Sequence, residues 1–78
     1  MLREIFGRNI KYHRVQQGLS QEAAADLCSI SSKYWGKVER GEQSATVDTI
    51  DKISVGLKVA AANLLDERDI NEKARRRR

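Results

Sequence analysis

The chain has 78 residues, no proline, one cysteine, one histidine and a formal net charge of +4. That length allows one small domain with a limited core. The lone cysteine excludes an internal disulfide and, with the lone histidine, leaves too few soft ligands for a zinc site, so no cofactor is expected.

The first helix is expected over Leu2 to Gln17. Leu2, Phe6, Ile10 and His13 recur at i, i+4, i+8 and i+11, one face of a 3.6-residue repeat, and Ile5 widens that face. His13 reads as a partly buried ring satisfied by hydrogen bonds; a pH-sensing role needs a second titrating partner, and none is evident. Gly18 ends this helix, and Ser20 caps the next, because its hydroxyl accepts from a free N–H of the first turn. Gln21, Glu22 and the strongly helix-forming Ala23-Ala24-Ala25 follow. The apolar rhythm breaks at Cys28-Ser29-Ile30, and Ser31 or Ser32 offers another N-cap. A third helix, roughly Ser32 to Arg40, closes at Gly41, which can take the left-handed C′ conformation. Ala24, Ala25 and Cys28 are small enough to let two helices approach, and Ile30, Trp35 and Val38 would close the wedge between them.

After a loop from Glu42 to Ala45, Thr46 is the next N-cap, with Asp48 complementing the helix dipole. Val47, Ile50, Ile53, Val55 and Leu57 supply the apolar face of a fourth helix running to about Gly56. Val59 to Leu65 makes a short fifth, with Val59, Ala62 and Leu65 or Leu64 as its contacts. The pattern predicts an all-α, compact five-helix domain over residues 1–66, then a polar and finally basic tail over 67–78. No apolar run approaches the ~20 residues that cross a bilayer. The charged start MLREIFGRN also lacks a signal peptide's apolar segment, so a soluble cytoplasmic protein is expected.

Ser20 to Gly41 therefore reads as two short helices around a tight turn. This stretch resembles the helix-turn-helix of the Cro/repressor-like (XRE-type) bacterial DNA-binding regulators. The likeness is carried by Leu19-Ser20-Gln21-Glu22, Ala25, Ile30-Ser31 and Val38-Glu39-Arg40-Gly41 at matching spacing, and extends from about Phe6 to Leu65. The family's usual residues differ at several positions. Cys28 stands at a buried Leu position, Trp35 at an Ile or Val position, His13 at a Leu position and Lys58 at a common Gly position. The small size and the run Lys52-Ile53-x-x-Gly56-Leu57-x-Val59 also look like the controller proteins of restriction–modification systems. A prophage repressor or an antitoxin half shows the same features.

The resemblance implies a function and a set of residues. The second helix of such a motif lies in the DNA major groove, where each base pair shows a distinct pattern of donors and acceptors. Ser32, Lys33, Gly36 and Lys37 would lie nearest the bases, with Trp35 turned to the core. Gly36 would either bring the helix backbone close to DNA or relieve crowding beside Trp35 and Tyr34. Gln21 would brace a phosphate or a recognition side chain; Ser31, Tyr34, Arg40 and Gln43 would flank the groove at the phosphates. Arg14 and Glu39 match an ion pair tying the first helix to the recognition helix.

Residues 1–72 hold ten Lys/Arg against eleven Asp/Glu, so any nucleic-acid surface rests on uneven placement. Lys33 to Arg40 carries three positive residues against one acid, while 66–72 is acidic on balance. Lys73 and Arg75 to Arg78 either touch phosphates or form a solubilising end. The expected partner is double-stranded DNA with an inverted-repeat operator, bound by a homodimer joined around Val59, Asn63, Leu64 and Ile70. The rival reading is a protein-interaction module of the same fold, such as an antitoxin or accessory factor. An enzyme is disfavoured, because no nucleophile–base set, phosphate-cradling loop or metal cluster is present.

Overall fold

A computed structural model describes residues 1–68; the tail residues Ile70, Lys73 and Arg75 to Arg78 lie outside them. The described residues form five helices: α1 (Leu2–Gln16), α2 (Gln21–Leu27), α3 (Ser32–Glu39), α4 (Val47–Leu57) and α5 (Ala61–Leu64). The core is Phe6 and Ile10 of α1, Ala24 and Ala25 of α2, Cys28, Trp35 and Val38 of α3, Ile53 and Leu57 of α4, and Leu64 of α5. His13 is buried beside them, edge-on to Tyr12. Cys28 is a buried small hydrophobe whose thiol burial pushes up in pKa.

Helix ends correct the sequence reading more than helix cores do. Leu2, expected on the buried stripe, is 61% exposed, because α1 begins at the rim where little packs over its first turn. Val47 and Val55 are 82% and 69% exposed. Val47 is the first residue of α4, and Val55 sits two positions from both Ile53 and Leu57, which turns it to the far side. The fourth helix reaches Leu57 rather than Gly56. The fifth shrinks to four residues, in which Ala62 is exposed and Leu64 is wholly enclosed. Leu64 is therefore withdrawn from the dimer surface assigned to it.

α1, α2, α3 and α4 close in one way. Each is followed by a residue of positive φ: Gly18, Ser29, Gly41 and Lys58. The N–H of that residue and of the next reach back to two carbonyls of the last turn: Val15 and Arg14, Asp26 and Ala25, Val38 and Lys37, Val55 and Ser54. This double closure satisfies carbonyls that a helix end otherwise leaves open. Glycine fits it without strain, whereas a side chain there costs roughly 1–2 kcal/mol. Lys58 at φ 59° carries that strain on an exposed side chain. Lys58→Gly is expected to raise the unfolding free energy by about 0.5–1 kcal/mol, since a more flexible unfolded chain offsets part of the relief. Thermal unfolding should show this as a midpoint higher by about 2–8 °C; a lower midpoint would contradict the strain argument.

Three further contacts position α1 against the rest. Asn9 is buried, and its Nδ2 donates to the carbonyls of Asn63 (3.3 Å), Leu64 (2.7 Å) and Asp66 (3.0 Å), which fastens α5 down. Gln17 Nε2 donates to the Leu57 carbonyl at 2.8 Å and holds the end of α4. Gly7 lies where α1 crosses the C-terminal end of α3. A methyl group there would sit 2.5 Å from the Glu39 carbonyl oxygen and 2.7 Å from that of Val38.

Candidate nucleic-acid interface

The pair α2 and α3 is set by its caps. Ser20 Oγ accepts from the Ala23 N–H at 3.0 Å, and Ser31 Oγ accepts from the Tyr34 N–H at 3.1 Å. Of the two serines offered as the cap of α3, Ser31 is the one used, and Ser32 begins the helix. The turn between the helices passes through Ser29 at φ 60°. Ala24 and Ala25 present almost no side chain, so Trp35 and Val38 seat directly against α2 and are wholly enclosed.

Behind α3, Glu39 organises a buried polar knot. Arg14 grips it side-on with one edge of its guanidinium, Nε to Oε2 at 2.8 Å and Nη2 to Oε1 at 3.0 Å. Gln21 Nε2 donates to Oε1 at 2.9 Å, and the Trp35 indole N–H donates to Oε2 at 2.8 Å. Arg14 Nη1 also donates to the Leu19 carbonyl at 2.8 Å, so the guanidinium spans α1, the start of α2 and α3. Burial pushes the Glu39 carboxyl up, but the bonds from Arg14, Gln21 and Trp35 and the Arg14 charge outweigh it. Glu39 is held below the usual glutamate range.

The ion pair read from the sequence is thus formed, and it carries two partners that the sequence did not reveal. Gln21 donates its amide to Glu39 and so braces α3; the indole of Trp35 is both core and donor. A signal was available for Trp35: an indole expected in the core carries an N–H, and a buried donor needs an acceptor.

The opposite side of α3 faces solvent. Ser32 and Lys33 are exposed and Lys37 is partly so; among the described residues neither lysine has an ion-pair partner within 4.0 Å. Lys33 and Lys37 stand one turn apart on that face. Tyr34 packs against the core, and its hydroxyl donates to the Ser44 carbonyl at 3.1 Å, tying α3 to the following loop rather than leaving that proton for a phosphate. Gln43 is exposed in that loop. Gly36 is covered, not open for a close backbone approach. Beyond its chain neighbours Trp35 and Lys37, the atoms nearest a methyl there would belong to Arg40. Arg40 is in turn held by Glu42, Nε to Oε2 at 3.0 Å and Nη2 to Oε1 at 3.3 Å. The bond from Arg40, with the charges of Arg40 and Lys37, keeps the Glu42 carboxyl low despite slight desolvation.

Among the described residues no group of three His, Cys, Asp or Glu could hold a metal ion. No described helix is long and apolar enough to cross a membrane.

Two short helices locked at a tight turn, with one helix sealed on one side and cationic on the other, form a helix-turn-helix. Residues 5–67 match the family model described as a helix-turn-helix domain. The chain belongs to the XRE-type helix-turn-helix family of DNA-binding regulators. It is 35% identical over 66 residues to the control protein C.BamHI of Bacillus amyloliquefaciens, covering 83% of this chain and 82% of that one. The structure is similar to that of the restriction-modification controller protein C.AhdI from Aeromonas hydrophila (TM-score 0.76, 32% identity, 80% and 94% of the two chains). It also resembles the hypothetical transcription factor NHTF from Neisseria (TM-score 0.85, 32% identity, 95% and 85%). Most of this XRE-type chain, and most of each of those three, is thus one shared all-α unit.

Proposed function

We propose that this XRE-type chain is a small transcriptional regulator that binds duplex DNA sequence-selectively with α3 in the major groove. The observation that carries the reading is the division of α3. Trp35 and Val38 are sealed inside while Lys33 and Lys37 stand outward on one side. A helix fits the major groove, and in a helix-turn-helix the N-terminal residues of the second helix lie nearest the base edges. Ser32 and Lys33 open α3 and Lys37 follows one turn later, so these side chains are the ones assigned to the base edges, with Gly36 beneath the Arg40 side chain. The lysines donate to guanine O6 and N7 or to flanking phosphates. The Ser31 hydroxyl, which accepts from Tyr34, keeps its own proton for a phosphate. Gln43, exposed in the following loop, would flank the groove. Gln21 acts from behind, through Glu39.

One such domain reads few base pairs, so the reading includes a two-fold dimer on an inverted repeat with half-sites about 34 Å apart. With Leu64 in the core, Val59 and Asn63 are what α5 offers to such a dimer. The likeness to a protein named as a restriction–modification controller supports a place in a system of that kind.

The test is the double variant Lys33→Ala/Lys37→Ala, assayed on a duplex selected by the wild-type chain from a random pool. Affinity is expected to fall at least about tenfold, roughly 1.4 kcal/mol, with the melting curve kept, because both side chains lie outside the core. Wild-type affinity should also drop steeply with rising salt as counterions are released. Undiminished binding by the variant would move the activity away from α3 and favour a partner-holding module.

A further inference from the structure

Gly36 sits in the middle of α3, where alanine would make a better helix. It is covered, and beyond its chain neighbours Trp35 and Lys37 no core side chain is among the three atoms closest to where a methyl group would sit. The nearest atoms are the Arg40 guanidinium: Nη1 at 3.1 Å, Cζ at 3.7 Å and Nη2 at 3.7 Å. Side chains on a helix lean toward its N-terminus, so Arg40 reaches back one turn, about 5.4 Å. Its charge comes to rest over the centre of the outward face, not beyond the helix end. Glu42, just past the turn at Gly41, fixes the plane by gripping the Nε and Nη2 edge at 3.0 and 3.3 Å. Among the described residues Nη1 has no hydrogen-bond partner. The end of the fork, Nη1 with the second N–H of Nη2, is left to donate outward.

The geometry points to Arg40 as a base-reading residue that donates its fork end to a guanine edge, with Gly36 as its seat and Glu42 as its positioning residue. This rests on the proposed placing of α3 in the major groove, and it names one determinant of specificity there. A phosphate is a poor alternative partner. Glu42 puts a negative charge beside the guanidinium, and the carbonyls at the C-terminal end of α3 add the negative pole of the helix. Both repel an anion. The O6 and N7 of guanine are neutral acceptors at the spacing of an arginine fork. A fork already held in plane also loses less freedom on binding than a free one.

The experiment compares wild type, Arg40→Ala and Glu42→Gln on the duplex selected by the wild-type chain and on its single-base-pair variants, over a salt series, with melting curves for each protein. Arg40→Ala is expected to lose about tenfold or more on the selected duplex and to become indifferent at one base-pair position, with the salt slope unchanged. Glu42→Gln should lose several-fold of the discrimination at that same position while keeping it elsewhere. Uniform weakening of every duplex by Arg40→Ala, with the salt slope smaller by about one, would make Arg40 a phosphate contact and overturn the inference while leaving the major-groove reading intact. Full discrimination by Glu42→Gln would overturn the positioning role. A wild-type chain that selects no duplex would overturn the groove reading itself, and this inference with it.

Discussion

Replacing Glu39 by alanine is expected to lower the unfolding free energy by about 3–5 kcal/mol, the loss seen when one partner of a buried ion pair is removed. The carboxylate accepts four hydrogen bonds, two from Arg14 and one each from Gln21 and Trp35, and its side chain is 4% exposed. Alanine would strand a guanidinium that is 13% exposed and a buried indole N–H, both without their acceptor. Glu39→Gln would keep the shape but not the function, because every partner is a donor and the new amide turns two more donors toward them. The same carboxylate makes a pH prediction. Its pKa is lowered in the folded state, so its contribution is whole above the unfolded glutamate value of about 4.3 and drains away as pH falls through the lower folded value. Urea unfolding at neutral pH and again below pH 4 checks both statements. The wild type should lose stability across that window by more than Glu39→Gln does.

Gly7→Ala is expected to destabilise the fold by about 2–3 kcal/mol. Alanine is worth up to about 1 kcal/mol more than glycine inside a helix, which alone would predict a gain. The added methyl, however, would meet two backbone carbonyl oxygens at 2.5 and 2.7 Å. These belong to the last turn of α3, whose carbonyls already serve the Gly41 closure, so neither side can yield as a flexible side chain would. Overpacking costs about 1–3 kcal/mol and occasionally more; two contacts this short on rigid backbone put it at about 3–4, which leaves about 2–3 after the helix-propensity gain. The midpoint of thermal unfolding should drop by about 10–20 °C. A midpoint at or above the wild-type value would show that α1 and α3 do not cross at Gly7.

These two residues also show how far the sequence could be read. Glu39 and Arg14 were legible because they recur at fixed places in a resembling family, and Trp35 was legible as core because it opposes Lys33 and Lys37 on a helical wheel. The four bonds converging on Glu39 were not, because Gln21 and Glu39 lie 18 residues apart and only the folded backbone brings them together. Gly7 carries a signal that periodicity overlooks, since a glycine inside a strong apolar stripe marks a close helix crossing. Asn9 was missed for a related reason. It lies on the buried stripe of α1 but is polar, and its three acceptors sit more than fifty residues away. The misread valines Val47 and Val55 reflect a limit of another kind. Hydrophobicity identifies an apolar residue, but the position along and around the helix decides whether it is covered.

The outward face of α3 carries the functional account, and methylation interference on a duplex selected from a random pool addresses it most directly. Methyl groups on guanine N7 project into the major groove. With α3 in that groove they should block binding within two half-sites about one helical turn, roughly 34 Å, apart, and Lys33→Ala/Lys37→Ala should blunt the pattern. Interference confined to adenine N3 in the minor groove, or binding indifferent to both modifications, would contradict that placing of α3.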